Sequence, residues 1–200
     1  MVEQIMSELI MLKTQKAFTL IELMVTLAVL AVVLGLALPN FNRQILNNKS
    51  TSLGEDLVAQ INLARYEAIK RGTRVSMCAS SNSTTTTPTC TGNWTEGYIM
   101  FVDNATSDQA SAVDLGTAGS NMVIIKKFSK PDAKAVITVE NDAASVSFFR
   151  YTALGTLGRV SGSTNPIKIE ASMTGCNGNN VRSITIGLSG LVSSQFISCR

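Results

Sequence analysis

An apolar segment near the amino terminus constrains this chain more than any other feature. Residues 18–38 read FTLIELMVTLAVLAVVLGLAL and hold one charged side chain, Glu22. At about 1.5 Å per residue, a helix over this segment is just long enough to cross a bilayer core of roughly 30 Å. Lys13 and Lys16 precede it, and positive flanks stay in the cytoplasm. The sequence therefore predicts one membrane-spanning helix, with everything after Pro39 outside the cytoplasm.

Glu22 needs an explanation, because a carboxylate at membrane depth costs about a few kcal/mol unless it finds a partner. Residues 18–38 contain no Lys or Arg that could pair with it. A cut after Ala17 would place a new ammonium on Phe18, one helical turn away in the same helix or within reach of a neighbouring one. Two alternatives remain open: the carboxylate is tolerated near the interface, or residues 1–38 are a secretory signal peptide with a poor cleavage site at LALPNFNRQ.

Composition argues against an enzyme. The 200 residues contain no His, which excludes Ser/His/Asp and Cys/His nucleophiles, His-ligated zinc and the commonest general base. The net charge of +3 is too small and too scattered to indicate nucleic acid by itself. With no internal repeat, the length fits one domain plus appendages. We predict no catalytic residues, no bound metal and no cofactor.

Four cysteines are spaced in a way that matches no metal or redox motif. They stand at positions 78, 90, 176 and 199. An even number of scattered cysteines behind a membrane segment indicates disulfides in an oxidising compartment, against the alternative of four buried thiols. Cys78 and Cys90 close a polar loop, and Cys176 and Cys199 flank a hairpin, so of three pairings we prefer Cys78–Cys90 with Cys176–Cys199. Each bridge could add about 2 to 4 kcal/mol.

Downstream of the apolar segment, the pattern predicts a second helical half and then strands. An apolar stripe of helical spacing crosses residues 39–72, Pro39 should kink the helix, and Gly72 should end it. From residue 73 the pattern alternates with period two. We predict strands at 74–78, 97–102, 122–128, 135–140, 145–151, 166–171, 182–188 and 191–198. The fold class is α+β, with an antiparallel head on the helix.

The stretch KAFTLIELMVTLAVLAVVLGLALPNF resembles the class III signal and first helix of type IV pilins and type II secretion pseudopilins. The resemblance implies that a prepilin peptidase removes residues 1–17, cutting between Ala17 and Phe18, and that Phe18 is N-methylated. It also implies that Glu22 acts in assembly and that Pro39 is the helix kink. The family usually has Gly where this chain has Ala17. Translation from Met11 would give the shorter leader MLKTQKA.

The head resembles the GspH/FimT family. The resemblance rests on these features, in chain order: Arg71-Gly72, Cys78 and Cys90, Trp94, the apolar YIMFVD and the later VRSITIGLSGLV. The resemblance implies a pilin-like fold and a minor pilin that helps initiate or cap a type IV pilus; a GspH-type pseudopilin of type II secretion is the alternative. Implied partners are other minor and major pilins or pseudopilins and an inner-membrane assembly platform. Implied localisation is the bacterial inner membrane, with the head, residues 73–200, in the periplasm.

Other functions are weaker interpretations. Some FimT-type members bind DNA through arginines in a GRxR-like motif, but the corresponding hairpin here reads GLVS, residues 190–193. Arg159, Arg182 and Arg200 remain as candidate DNA contacts. A membrane-anchored domain that never polymerises is a third class. The stretch DNATSDQASAVD, residues 103–114, is interpreted as a solvated loop rather than a calcium site, GTLGRVSG as a turn, and Trp94 as a packing residue.

Overall fold

The computed structural model describes residues 18–199, and within them the side chains of all but 36–40. The predicted leader with Ala17, and the candidate DNA contact Arg200, lie outside the described residues. The chain divides into two units, Met1–Asn42 and Arg43–Arg200. A single long helix, α1 (Leu20–Arg71), begins in the first unit and ends in the second.

The second half of α1 packs in the core of the head. Its apolar stripe is buried, as the helical spacing predicts, and runs through Leu53, Leu57, Ile61, Ala64 and Ala68. The helix ends where expected, because Gly72 adopts a φ of +61°, a conformation that closes helices and that other residues avoid. The kink at Pro39 stays a prediction.

Within residues 18–199, nine strands form two antiparallel sheets. The first has the order β3-β2-β1-β6 and the second the order β5-β4-β7-β8-β9. Their bounds are β1 Val75–Ala79, β2 Gly97–Val102, β3 Ile124–Ser129, β4 Ala135–Asn141, β5 Ala144–Ser145, β6 Phe148–Tyr151, β7 Ile167–Met173, β8 Val181–Ile186 and β9 Val192–Ile197. Both sheets contribute to one core with the stripe of α1, through residues such as Met77, Phe149 and Ile169. The α+β fold is therefore confirmed, and the head contains two sheets.

One predicted strand is divided between the two sheets. The alternating run at 145–151 becomes β5 in the second sheet and β6 in the first. The hairpin turn before β5 places Asp142 and Ala143 at φ values of 52° and 62°, the left-handed pair of a type I′ turn. The chain thereby crosses from one sheet to the other while keeping its extended character, which a period-two pattern cannot report.

The first sheet is covered on both faces, so β1 and most of β2 are buried without alternation. Its inner face packs in the main core, and its outer face carries a smaller cluster of Cys78, Ile99 and Phe101. Trp94 is buried, donates from Nε1 to the Val146 carbonyl at 2.8 Å and stacks on Phe149. It is thus a packing residue.

Two disulfides tie the head. Cys78 joins Cys90 and Cys176 joins Cys199, the pairing preferred from the sequence, with Cα separations of 5.5 Å and 5.8 Å. The first bridge holds the polar 79–89 loop against β1. The second joins the segment after β7 to the segment after β9, so it closes the β8–β9 hairpin at its open end.

We expect the stability of the head to fall as the pH rises above about 10. Burial raises the pKa of Tyr98 and of Tyr151 above the ordinary value of 10.0. Tyr98 donates to the Gln60 side chain, and the Tyr151 hydroxyl has no hydrogen-bond partner in the described part of the chain. The unfolded chain loses these protons near pH 10 while the folded head keeps them. The stabilisation is complete below that pH and declines above it, by at most about 1.4 kcal/mol per pH unit for each tyrosine.

Urea unfolding of residues 43–200 between pH 8 and 11 measures this decline. The double variant Tyr98→Phe, Tyr151→Phe should have the flatter profile, and Tyr66→Phe, which changes an exposed ring, should keep the wild-type slope. If the double variant lost stability with pH as steeply as the wild type, the decline could not be due to Tyr98 and Tyr151.

Candidate assembly and interaction surfaces

The first turn of α1 gives Glu22 a local role that the sequence analysis missed. Thr19 precedes the helix, and its Oγ1 accepts a hydrogen bond from the Glu22 backbone N–H at 3.3 Å. Thr19 and Glu22 thus occupy the N-cap and third helical positions of the T-x-x-E capping pattern. A carboxylate in the first turn also interacts favourably with the positive end of the helix dipole. The TLIE sequence carried this signal.

The apolar side chains that follow are open to their surroundings. Every large apolar side chain from Phe18 to Leu34 is at least half exposed, and Phe18 itself is 81% exposed. Within residues 18–35 and 41–199, no helix meets the length and hydropathy that a membrane crossing requires. The described start of α1 therefore exposes one carboxylate, that of Glu22, among apolar side chains. We call the exposed apolar side chains from Phe18 to Leu34 the apolar sleeve.

The side chain of Arg182, a candidate DNA contact, is engaged in contacts within the head. It lies on β8 where that strand meets α1, and its Nη2 is 3.0 Å from the Glu55 carboxylate. Its guanidinium stacks on the Phe196 ring at 4.4 Å, and its side chain is only 14% exposed. Close approach requires Gly54, because a Cβ there would lie 2.2 Å from the Cβ of Arg182. These contacts leave Arg182 little capacity to bind a phosphate.

Arg159, Lys126 and Lys127 make local contacts within the head. Arg159 is exposed beside a short 3₁₀ helix, Val160–Gly162, and bonds the Ser163 carbonyl at 3.3 Å. Lys126 lies over the Phe128 ring, and Lys127 bonds the Thr85 carbonyl. Each of these three cations thus already contacts a carbonyl or an aromatic ring of the head, and none of these contacts indicates a phosphate site.

The hairpin tip between β8 and β9 is apolar. Leu188 and Leu191 are 40% and 61% exposed. The turn packs against the 152–156 turn so closely that a Cβ on Gly190, which has a φ of +79°, would lie 1.9 Å from the Gly155 carbonyl oxygen. The predicted turn at 155–162 therefore serves as the support of this tip.

Residues 103–114 form a loop that is exposed over 106–109, as predicted, and that is anchored at its start by a buried ion pair of Asp103. The Asp103 and Arg150 side chains are fully buried, with Nε 2.8 Å from Oδ2. Arg150 also donates to the carbonyls of Ala110 and Ala112 at 2.9 and 2.8 Å. Ser107 and Asp108 supply two longer contacts, at 3.4 and 3.3 Å. The loop oxygens thus surround a guanidinium, and residues 18–199 contain no cluster of His, Cys, Asp or Glu suited to a metal.

One cavity of the head is lined without titratable side chains. It has a volume of about 400 Å³ and lies between β6, β7 and the 157–165 segment. Its lining consists of apolar groups with serine and asparagine side chains, including Ser145, Ser163 and Asn141, and none of the lining residues titrates. A serine without a neighbouring base is not an activated nucleophile, so the lining serines lack that activation.

Comparison with known proteins adds two matches along the sequence. Residues 12–38 match the prokaryotic N-terminal methylation motif. Residues 53–191 match the family described as type II transport protein GspH. No curated protein sequence matches the chain.

Solved structures similar to this chain include two crystal forms of the type IV minor pilin FimU of Pseudomonas aeruginosa, strain PAO1. Both are 19% identical in sequence. The first covers 74% of this chain and 89% of the FimU chain with a TM-score of 0.48. The second covers 72% and 90% with a TM-score of 0.46.

The helix start, its apolar sleeve and the methylation motif define the class: a pilin-type subunit with the amino-terminal methylation motif of such proteins. Within that class, the chain belongs to the GspH family. It is a minor pilin or pseudopilin of a type IV pilus or a type II secretion system, and its partners include other pilins. The family is a structural one.

Proposed function

We propose that this chain is a minor pilin that helps initiate or cap a type IV pilus, anchored in the inner membrane before assembly with its head in the periplasm. Residues 1–17 serve as the leader and 18–38 as the span, and Phe18 becomes the N-methylated terminus. Exposure carries this proposal: the side chains described between Phe18 and Leu34 need a cover, and lipid or neighbouring helices are apolar enough to supply it.

In this mechanism Glu22 pairs with the amine on Phe18 of its own or a neighbouring subunit. Before assembly, the positive end of the helix dipole stabilises the Glu22 carboxylate at the membrane. In the filament an ammonium group pairs with this carboxylate, and the pairing sets the register between neighbouring helices. An inner-membrane assembly platform extracts the subunit once the leader is removed.

Intact mass and amino-terminal sequencing of the protein from its native membrane test the proposal. A chain beginning at N-methylated Phe18 is the expected result. A chain that keeps residues 1–17, or one cut beyond Leu38, would contradict it, because neither form has the amine that Glu22 requires. A chain that begins at Phe18 but enters no filament would instead support the interpretation as a membrane-anchored periplasmic domain that never polymerises.

A pseudopilin of type II secretion is the second candidate, favoured by the description of the matched family. The two candidates share leader and head, so the discriminating measurement is the filament with which the processed chain copurifies. Recovery with pilus tips supports the first candidate, and recovery with the secretion pseudopilus supports the second. DNA uptake is not favoured, because Arg182 is engaged and the hairpin tip is apolar.

A further inference from the structure

Two open sheets have four edges, and three of these edges in the described residues carry protection against strand addition. Along β3, exposed Lys126 and Lys127 provide charge, and its register against β2 shifts at a bulge. The edge of β6 is capped, because Gly158 donates its N–H to the Arg150 carbonyl at 2.7 Å. At the third edge, β5 has only two residues, which leaves little strand to pair with. Beside it, Thr95 of the 3₁₀ helix Trp94–Glu96 covers β4 by accepting a hydrogen bond from the Ile137 N–H.

Among the described residues, the remaining edge, β9, has no such device. Within residues 18–199 it pairs with β8 alone, and the four residues at positions 193–196 are exposed. The surrounding stretch 187–199, GLSGLVSSQFISC, holds neither a charged residue nor a proline. An exposed, uncharged edge is a template for pairing with another chain, and soluble proteins usually block it.

The two sides of β9 differ in chemistry. Phe196 lies opposite Arg182 in the ladder, on the side of the sheet that faces α1, and remains 45% exposed. Gln195 lies opposite Ser183 on the other side. A strand added outside β9 would therefore meet one aromatic ring on one side and hydroxyl and amide groups on the other.

We propose that β9 is a docking edge that accepts an extended, uncharged strand from a different subunit of the same assembly. Main-chain hydrogen bonds would continue the five-stranded sheet, and an apolar side chain of the incoming strand would cover Phe196. This inference rests on the proposed function, because it requires that the chain works inside a filament.

The argument against a second copy as the occupant comes from the edges themselves. Another copy also offers β9 as its unprotected edge, so two copies that paired there would be related by a twofold axis and would leave no edge of this kind to continue. Such closure cannot extend a filament. A strand from another subunit type leaves the assembly open.

Site-specific photo-crosslinking on the full chain in its native membrane tests the proposal. A photoreactive residue at Gln195 should form an adduct with another pilin-type subunit, linked through an uncharged segment, in several-fold higher yield than the same residue at Lys126. An adduct with a second copy, equal yields at both positions, or no adduct from a chain recovered in the filament would overturn it.

A charge on the edge provides the second measurement. With the photoreactive residue at Ser193, the substitution Gln195→Lys should lower the adduct yield about tenfold, because an incoming strand would desolvate the new ammonium. Thr138→Lys adds the same charge at an exposed position of β4 on the same sheet and should leave the yield unchanged. Equal losses in both variants would overturn the inference. A wild-type chain found in no filament would overturn this inference and the proposed function together, whereas a filament without the Gln195 adduct would overturn this inference alone.

Discussion

Arg150→Ala should lower the free energy of unfolding of the head by about 3 to 5 kcal/mol. The substitution leaves the buried Asp103 carboxylate without its cation and leaves the Ala110 and Ala112 carbonyls without donors. Asp103 would still accept from Ser76 and from the backbone N–H groups of Ala105 and Asp114, which hold it in place but do not neutralise it. Urea unfolding of residues 43–200 with the disulfides intact measures the loss.

A second ion pair on the same loop supplies the matched control. Arg74 lies 2.7 Å from Asp108, with side chains 29% and 51% exposed. Arg74→Ala should cost no more than about 1 kcal/mol, because solvent screens this pair. Arg150→Lys should fall between the two, since an ammonium can pair with Asp103 but cannot span the loop carbonyls. Equal losses for Arg150→Ala and Arg74→Ala would show that the loop does not depend on the buried guanidinium.

Glu22→Gln should reduce incorporation into the filament by about tenfold to a hundredfold while leaving insertion and leader cleavage unchanged. A factor of that size corresponds to about 1.4 to 2.8 kcal/mol of lost pairing. Glutamine is chosen because it is accepted at the third helical position of a capping box, so the helix start is preserved while the charge is removed. The measurement is the ratio of this chain in sheared filaments to that in membranes.

Thr19→Ala separates the capping role from the charge. It removes the hydrogen bond to the Glu22 N–H and keeps the carboxylate. If Glu22 acts through an amino terminus, Thr19→Ala assembles nearly normally, Glu22→Gln does not, and Glu22→Ala behaves like Glu22→Gln. If Glu22 serves mainly as a cap, Glu22→Gln assembles normally and Thr19→Ala is impaired, which would contradict the proposed mechanism.

Local signals account for the elements that sequence analysis located correctly. The helix end at Arg71 follows from Gly72, and the buried face of α1 follows from apolar spacing, because both depend on residues within one or two turns. The eight predicted strand positions correspond to observed strands to within a few residues, one of them divided. Both disulfides close loops short enough that hairpin and loop arguments reach them.

Long-range contacts account for what sequence analysis missed. Asp103 and Arg150 are 47 residues apart, and nothing in DNATSDQASAVD indicates that its charge partner lies on β6. Arg182 has the same charge as Arg159, yet one is paired with Glu55 and the other is exposed. Only the packing of β8 on α1 distinguishes them.

The sequence by itself determined the amino-terminal motif, the long helix, the strand-rich head and the family, because periodicity, glycine punctuation and a contiguous motif are properties of neighbouring residues. Only the tertiary structure decided that the strands divide between two sheets, that a guanidinium fills the 103–114 loop, and that β9 is left as the unprotected edge of the described sheets. These features depend on which distant segments share a surface, and burial then sets the protonation, pairing and exposure of each side chain.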